Sequence, residues 1–517
     1  MSSVKEIARL VRSGNDEWFF DFGKDAFGRL ILELTAGRNT VVEIALGECL
    51  KEGRIDPSPG GFRRYFKTAV EVKAGKHSVE ILFPPHQAPN AGLKKCLPPE
   101  GVEIMPFRYV EISGSNISSV QPCRLAYYGG FNDEAAEFVS SSAALNEVWE
   151  FCKYSIKATN AFECYIDGDR ERLPYEGDAY INQLGHFCCD ADYGKAANTI
   201  CRLLTAPTWP IEWRLLMPVI VRDYVLYSGD TSQLARWKSA LTECLFMERC
   251  DADALLPEKF DYMKNGENVR TIVDWPPVER DGCEFVSAMT VPNCCLYEAL
   301  RAMHWLYGDE KYLENAGILR ASIRRKMMKN GIFTDGTGSE HSALHSLVFP
   351  VAFGVADQTD WAKLGGVIKA KGMACSVYAA QYVLDASFIC GLHEHALHLL
   401  TRRGERSWLG MIDQGSTITM EAWSNELKPN QDWNHAWGAA PANVIPRRLC
   451  GIRPLRAGFA EFIVEPKPGD LEFFRFRQPT LHGAVTVEYR KNSGTTVTLP
   501  DGTQKSFSGE SQIFKMR

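Results

Sequence analysis

The chain has 517 residues, 45% of them hydrophobic and 24% charged, with a formal net charge of -6. That length predicts two or three domains, one of them large. A mildly acidic chain with no basic stripe and no long apolar run argues against a nucleic acid or a membrane as the main partner, and leaves a small, neutral molecule.

The opening Met1-Ser2-Ser3-Val4-Lys5-Glu6-Ile7 lacks the apolar stretch and small-residue cleavage site of a secretory signal, which predicts a cytoplasmic protein. From residue 17 to about 130, runs such as Trp18–Phe22, Leu30–Leu34, Val41–Ile44 and Phe107–Ile112 are β-branched or aromatic between Gly, Pro and Asn breaks. They predict strands, and a β-sandwich domain over residues 1–130.

The period changes near Ser141, where Leu145, Val148, Trp149, Cys152 and Ile156 fall on one helical stripe behind a serine-rich start. Helices are expected at 215–228, 232–249, 289–307, 310–328 and 376–392, with hardly a strand between them. Two of these stretches close on Ser228-Gly229-Asp230 and Tyr307-Gly308-Asp309, where glycine suits a left-handed C-cap and aspartate can start the next helix. Repeated helical hairpins over 131–450 fit an α-toroid. Beyond, Val485, Val487 and Tyr489 alternate with Thr486 and Glu488, predicting a small C-terminal β-domain over 451–517.

Three clusters could carry chemistry. In the first, Asp167, Asp169, Glu171, Glu176 and Asp178 crowd around Arg170 and Arg172 in a Gly- and Pro-containing loop. Charges packed so tightly shift one another's pKa values, which is how a glutamic acid can stay protonated as a general acid; a solvated loop of surface ion pairs is the other reading. In the second, Glu421 follows a neutral polar run and leads into Trp423, Trp433, Asn434, His435 and Trp437. Indole faces beside hydrogen-bonding groups suit a sugar; a place for the tryptophans in the core is the other, less favoured reading. The third places Asp274, Glu279 and Asp281 beside Trp275 in a Pro-rich loop.

His341 and His345 lack the glutamate of a zinc-binding H-E-x-x-H run and read as core or rim residues, so no metal is expected. No phosphate-binding glycine loop and no serine-nucleophile elbow is present. Sixteen cysteines in apolar text, without C-x-x-C spacing, predict buried free thiols rather than disulfides or zinc. What remains is chemistry by carboxylates without a cofactor.

The clusters resemble the α-L-rhamnosidases of glycoside hydrolase family 78. The resemblance lies in Arg170-Glu171-Arg172-Leu173 followed by Gly177-Asp178, in the Asp274-Trp275 loop, in Met420-Glu421-Ala422-Trp423 and in Asn434-His435-Ala436-Trp437-Gly438. It implies a mainly α protein whose (α/α)6 barrel carries the catalytic site, flanked by the two β-domains. It also implies removal of a terminal α-L-rhamnose from small glycosides by inversion, with Glu171 as general acid and Glu421 as general base. The substrate-binding set implied is Asp167 or Asp169, Arg170, Asp178, Trp213, Asp274, Trp275, His435 and Trp437. This chain has Ile166-Asp167-Gly168-Asp169 and Pro174-Tyr175-Glu176 where the family's usual text differs, so the substrate preference and the choice between the two aspartates stay open. Inversion places the carboxyl groups roughly 6.5–9.5 Å apart, with water between them.

Two other readings stand beside this one. A related (α/α)6 enzyme acting on a uronide, as hydrolase or lyase, would need a basic clamp from Arg170, Arg172 or Arg280. A non-catalytic sugar-binding protein would bind without turnover. Association into a homodimer is expected because the β-domains offer extra surface.

Overall fold

The computed structural model describes residues 3–87, 95–97, 99–264 and 267–516. Met1 and Ser2 of the N-terminal reading lie outside the described residues.

The two strands expected at Trp18–Phe22 and Leu30–Leu34 are parts of one twenty-residue strand, Glu17–Ala36. A register shift between Asp21 and Ala26, with Gly23 at a φ of 83°, bends this strand without ending it. Its first half pairs with Arg9–Gly14 and Met105–Ser113, and its second half with Ile117–Tyr127 and Gly75–Ile81. Thr40–Gly47 and Tyr65–Val72 extend the first half. Phe20, Leu30, Leu32, Ile44, Phe107 and Val110 come from both halves yet share one buried cluster, so the sheet packs against itself.

Helix Ala143–Ala158 begins where the serine-rich text predicts, with Ser142 accepting a hydrogen bond from the Leu145 N–H. All five residues of the predicted stripe are buried. Of the other expected helices, Met217–Ser228 and Thr290–Tyr307 end on left-handed Gly229 and Gly308, and Asp309 caps Glu310–Met327. Two are shorter than expected. The α-helix of the 232–249 stretch covers only Leu234–Glu243, because Phe246 turns to a positive φ of 53° and a separate 3-10 turn, Met247–Arg249, follows it. The 376–392 stretch starts at Ala380, because Ser376 is tied to Asp274 instead. The expectation of almost no strands here also needs correction: Lys259–Lys264 with Glu267–Arg270, and Met328–Lys329 with Ile332–Phe333, form antiparallel hairpins.

Helices buried along their whole length alternate with helices buried on one face. Glu176–Cys189 and Ala380–Ile389 are of the first kind, and Gly194–Thr205, Leu234–Glu243, Gln358–Lys371 and His393–Thr401 of the second. This is the burial pattern of hairpins with an inner and an outer helix.

Phe473–Gln478, Val485–Arg490, Gly494–Thr498 and Gln504–Phe507 form a C-terminal antiparallel sheet. Its fifth strand is Glu137–Ser140, which precedes the first helix in sequence and sets Phe138 opposite Phe476. No helix among the described residues is long and apolar enough to cross a membrane. All sixteen cysteines are free and eleven of them are buried.

Candidate active site

The acidic loop before helix Glu176–Cys189 closes on itself. The Asp167 N–H donates to the Leu173 carbonyl at 2.8 Å, and Asp167 Oδ1 accepts from the Leu173 N–H at 2.9 Å. Two glycines allow other groups to come close: a Cβ at Gly168 would lie 2.2 Å from the Asp432 carboxylate, and one at Gly177 would lie 2.6 Å from the Trp213 ring. Asp178 sits in the first turn of the helix, where the helix dipole favours a carboxylate.

The loop carrying Glu421 is built by cross-links. The His435 N–H donates to the Thr419 carbonyl at 2.8 Å, Thr419 Oγ1 donates to the His435 carbonyl at 2.8 Å, and the Trp437 indole donates to the Glu421 carbonyl at 3.0 Å. It meets the acidic loop through the Asp169 N–H on Asn434 Oδ1 at 2.7 Å and the Arg170 N–H on Asp432 Oδ2 at 3.2 Å. The N-terminal sheet holds it from the other side. Asn434 donates to Glu48 at 3.1 Å, the Phe62 N–H to the Gln431 carbonyl at 3.1 Å, and the Asp25 N–H to Thr417 Oγ1 at 2.8 Å.

These loops enclose a cavity of about 230 Å³ lined by Asp167, Arg170, Glu171, Asp178, Trp213, Trp275, Glu421, His435 and Trp437, together with Tyr175, Trp209 and Ile272. Both candidate glutamates therefore face one space. Arg170 links them: its two terminal nitrogens hold Glu421 at 2.9 and 2.8 Å, and its Nη2 also lies 3.3 Å from Glu171 Oε1. Two oxygens 3.3 and 2.8 Å from one nitrogen are closer together than the roughly 6.5–9.5 Å expected between an inverting pair. Tyr175 donates its hydroxyl to the other oxygen of Glu171. Lys428 Nζ lies 3.4 Å from Glu421.

Burial pushes Glu421 above the usual glutamate value of 4.5, and the charges of Arg170, His435 and Lys428 oppose that shift. His435 bridges two carboxylates, Nδ1 donating to Asp432 at 2.9 Å and Nε2 to Asp178 at 3.0 Å. Burial alone would lower the pKa of this imidazole, but Asp432 and Asp178 together hold it well above 6.5, as a cation. Asp167 is raised well above the ordinary aspartate value, first by burial and then by the charge of Glu171. Its Oδ2 has no hydrogen-bond partner among the described residues.

Two of the predicted binding residues do not line the cavity. Asp169 lies between Arg172 at 2.7 Å and Arg64 at 3.2 Å, a buried ion pair that fixes the loop. Asp274 accepts from His345 Nε2 at 2.6 Å, the Ser376 N–H at 2.9 Å and the Trp275 N–H at 2.8 Å, so it anchors the loop that presents Trp275. Glu212 anchors the same loop, accepting from the Ile272 N–H at 2.7 Å. Sequence reasoning missed Trp209 and Ile272, which lie just outside the runs singled out, four positions before Trp213 and two before Asp274, and Lys428, an isolated cation between Trp423 and Trp433. Tyr175 was inside the first cluster without a role.

Glu421, Asp432 and His435 bring ligand atoms within 4.8 Å of one another, as a metal site would. Each already has charged partners. A dication there would compete with Arg170, Lys428 and the His435 proton.

Alternating buried and half-buried helices under an acid-lined cavity with indole walls agree with the class that the family comparison gives, a six-hairpin glycosidase domain. Residues 133–449 match the family model for the bacterial alpha-L-rhamnosidase 6 hairpin glycosidase domain, and residues 451–508 the one for the bacterial alpha-L-rhamnosidase C-terminal domain. The chain belongs to the bacterial α-L-rhamnosidase family. An alpha-L-rhamnosidase of Streptomyces avermitilis is 29% identical over 120 residues, which cover 21% of this chain and 12% of that protein. Among solved structures, the α-L-rhamnosidase of Dictyoglumus thermophilum superposes with a TM-score of 0.76 at 16% identity, covering 96% of this chain and 57% of its own. The Streptomyces avermitilis α-L-rhamnosidase complexed with L-rhamnose gives 0.74 at 17% identity, covering 97% and 49%. The family 78 rhamnosidase of Bacillus sp. GL1 gives 0.72 at 16% identity, covering 95% and 53%. These likenesses establish a shared fold, and the chain spans about half the length of each of the three.

Proposed function

We propose that the chain hydrolyses terminal α-L-rhamnosides by inversion, with Glu171 as general acid and Glu421 as general base. The observation that carries this reading is the meeting of two glutamates from remote parts of the sequence on Arg170, inside one tryptophan-walled cavity. The cavity is smaller than the roughly 300–1,000 Å³ of sites for drug-sized ligands, which suits a single sugar ring. The Streptomyces avermitilis relative with L-rhamnose supplies the sugar.

In this reading Trp213, Trp275 and Trp437 pack the apolar faces of the ring, Asp178 accepts from its hydroxyls, and His435, whose two N–H groups are held by Asp432 and Asp178, fixes Asp178 in place. Asp167, favouring its protonated form and carrying an unpartnered oxygen, donates one more hydrogen bond. Protonated Glu171 gives its proton to the glycosidic oxygen as the bond breaks, while ionised Glu421 takes a proton from water attacking the opposite face. Inversion then requires the glutamates to separate when sugar and water enter, with Arg170 exchanging its contact to Glu171 for one to the ligand.

The same reading closes the inner and outer helices into an (α/α)6 barrel over 131–450, between β-domains at 1–130 and 451–517. Free thiols throughout support a reducing, cytoplasmic setting. Homodimerisation is part of the proposal and is checked by light scattering against the chain mass of 57.9 kDa. A panel of aryl glycosides tests the activity: reducing sugar should come from the α-L-rhamnoside and not from uronides, and no product absorbing as an unsaturated uronate should form. A non-catalytic protein would release nothing from any of them.

A further inference from the structure

Resting on the rhamnosidase reading, we infer that Glu48 and Arg64, beside the N-terminal sheet, are positioning residues for the reaction, because they close a ring of contacts that fixes the loop of the acid against the loop of the base. The ring runs through four residues. Arg64 Nε lies 3.2 Å from Asp169 Oδ2, and the Asp169 N–H donates to Asn434 Oδ1 at 2.7 Å. Asn434 Nδ2 then donates to Glu48 Oε1 at 3.1 Å, and the other oxygen of Glu48 accepts from the Arg64 N–H. Asp169 stands two residues before Glu171, and Asn434 belongs to the loop that carries Glu421.

The sheet makes this ring stiff. Glu48 follows strand Thr40–Gly47 and Arg64 precedes strand Tyr65–Val72, whose ends Gly47 and Tyr65 are paired. The Glu48 N–H also donates to the Arg64 carbonyl, at 3.3 Å. Glu48, Asp169 and Asn434 are buried and Arg64 is half-buried, so water competes little for these contacts. Beside the ring, Gly61 has a φ of 57° and comes so near the base loop that a Cβ there would lie 2.6 Å from the Gln431 carbonyl oxygen. The next residue, Phe62, backs the guanidinium of Arg170, which lies 5.9 Å from the centre of its ring. Burying the carboxylates of Glu48 and Asp169 costs desolvation that ion pairs at best offset, so stability is a weak reason for the ring. Geometry is the stronger one. Two glutamates from remote parts of the chain serve as acid and base only if their loops are held to within about 0.5 Å, and a strand end holds them better than another loop would.

The experiment measures kcat and KM on an unactivated rhamnoside for Glu48→Gln, Arg64→Met and Arg64→Lys in the full chain, together with hydrogen–deuterium exchange over residues 166–174 and 431–437. Glu48→Gln keeps shape but can accept only one of its two N–H partners, and Arg64→Met keeps the stem without the guanidinium. Each should lower kcat about 10–100-fold, the scale of a misplacement of about 1 Å, with KM changed less than about twofold. Arg64→Lys should regain part of the loss. Combining Glu48→Gln with Arg64→Met should cost little more than the worse of the two, since a ring opened once is already open. An unchanged kcat, or losses that multiply in the double variant, would overturn the positioning role and leave the rhamnosidase reading intact. Should Glu48→Gln fail to fold, the two variants of half-buried Arg64 decide. If wild type cleaves no rhamnoside, the rhamnosidase reading falls and exchange tests the ring by itself: faster exchange of both loops in Arg64→Met, slowed again in Arg64→Lys, supports it, and exchange at the wild-type rate refutes it.

Discussion

Glu421 is held on both of its oxygens by Arg170, at 2.9 and 2.8 Å, and Arg170 is the residue that immediately precedes Glu171. One guanidinium thus couples the proposed base to the backbone of the proposed acid. Burial raises the pKa of Glu421, and Arg170 is the strongest of the groups opposing the rise. Its removal should let that pKa climb further, so the ionised base is lost at a higher pH. The acid limb of kcat/KM should move to higher pH in Arg170→Gln and less so in Arg170→Lys. A limb that stayed in place or moved to lower pH would show that Arg170 does not tune Glu421.

His435 makes stability depend on pH in a stated direction. Its folded-state pKa is raised, so the stabilisation is fully present below the unfolded value of about 6.5 and is lost as pH rises through the higher folded value. Thermal melts should therefore show a fall in Tm on the alkaline side. His435→Gln should abolish that fall and destabilise the protein near neutrality by about 3–5 kcal/mol, since Asp178 and Asp432 would lose the buried cation between them. An alkaline fall of wild-type size in the variant would assign the effect to other groups.

The stereochemical outcome is a separate prediction. Proton NMR early in hydrolysis of an α-rhamnoside should show the β-anomer of rhamnose first. Initial α-anomer would mean that the closeness of the two glutamates on Arg170 persists in catalysis and that one of them acts as nucleophile.

Thiol chemistry checks the packing. Cys201 is the one exposed cysteine, and eleven are buried. A thiol reagent should modify one group rapidly in the folded, unreduced protein and sixteen after denaturation. Fewer than sixteen would reveal disulfides.

Much of the site was legible because its chemistry is concentrated in three short runs. Glu171, Asp178, Glu421, His435 and Trp437 each stand in a run where carboxylates or other hydrogen-bonding groups crowd beside aromatic rings. The illegible part depends on partners far away in sequence. Asp167 and Asp169 are equivalent on paper, and only the positions of Arg64, in the loop before strand Tyr65–Val72, and of Arg172 withdraw Asp169 from the cavity. Asp274 looked like a binding residue until His345 and Ser376 claimed it. Strand Glu137–Ser140 was read as part of the helical domain because its pairing partner, Phe473–Gln478, is more than three hundred positions later. Helix existence followed from apolar period, whereas helix ends at Phe246 and Ser376 were set by local backbone and by a tertiary hydrogen bond.

The most direct test of the central claim compares Glu171→Gln and Glu421→Gln on two rhamnosides, one with a nitrophenyl leaving group and one with an unactivated alkyl or sugar leaving group. Both substitutions keep shape and remove proton transfer, and each should cost about 10²–10⁴-fold on the unactivated substrate while the protein stays folded. Nitrophenolate departs without protonation, so Glu171→Gln should retain relatively more activity on the nitrophenyl glycoside. Water must be activated for either substrate, so Glu421→Gln should be equally poor on both. Near-normal turnover of the unactivated rhamnoside by both folded variants would contradict the account and direct the search to Asp167 and Asp178.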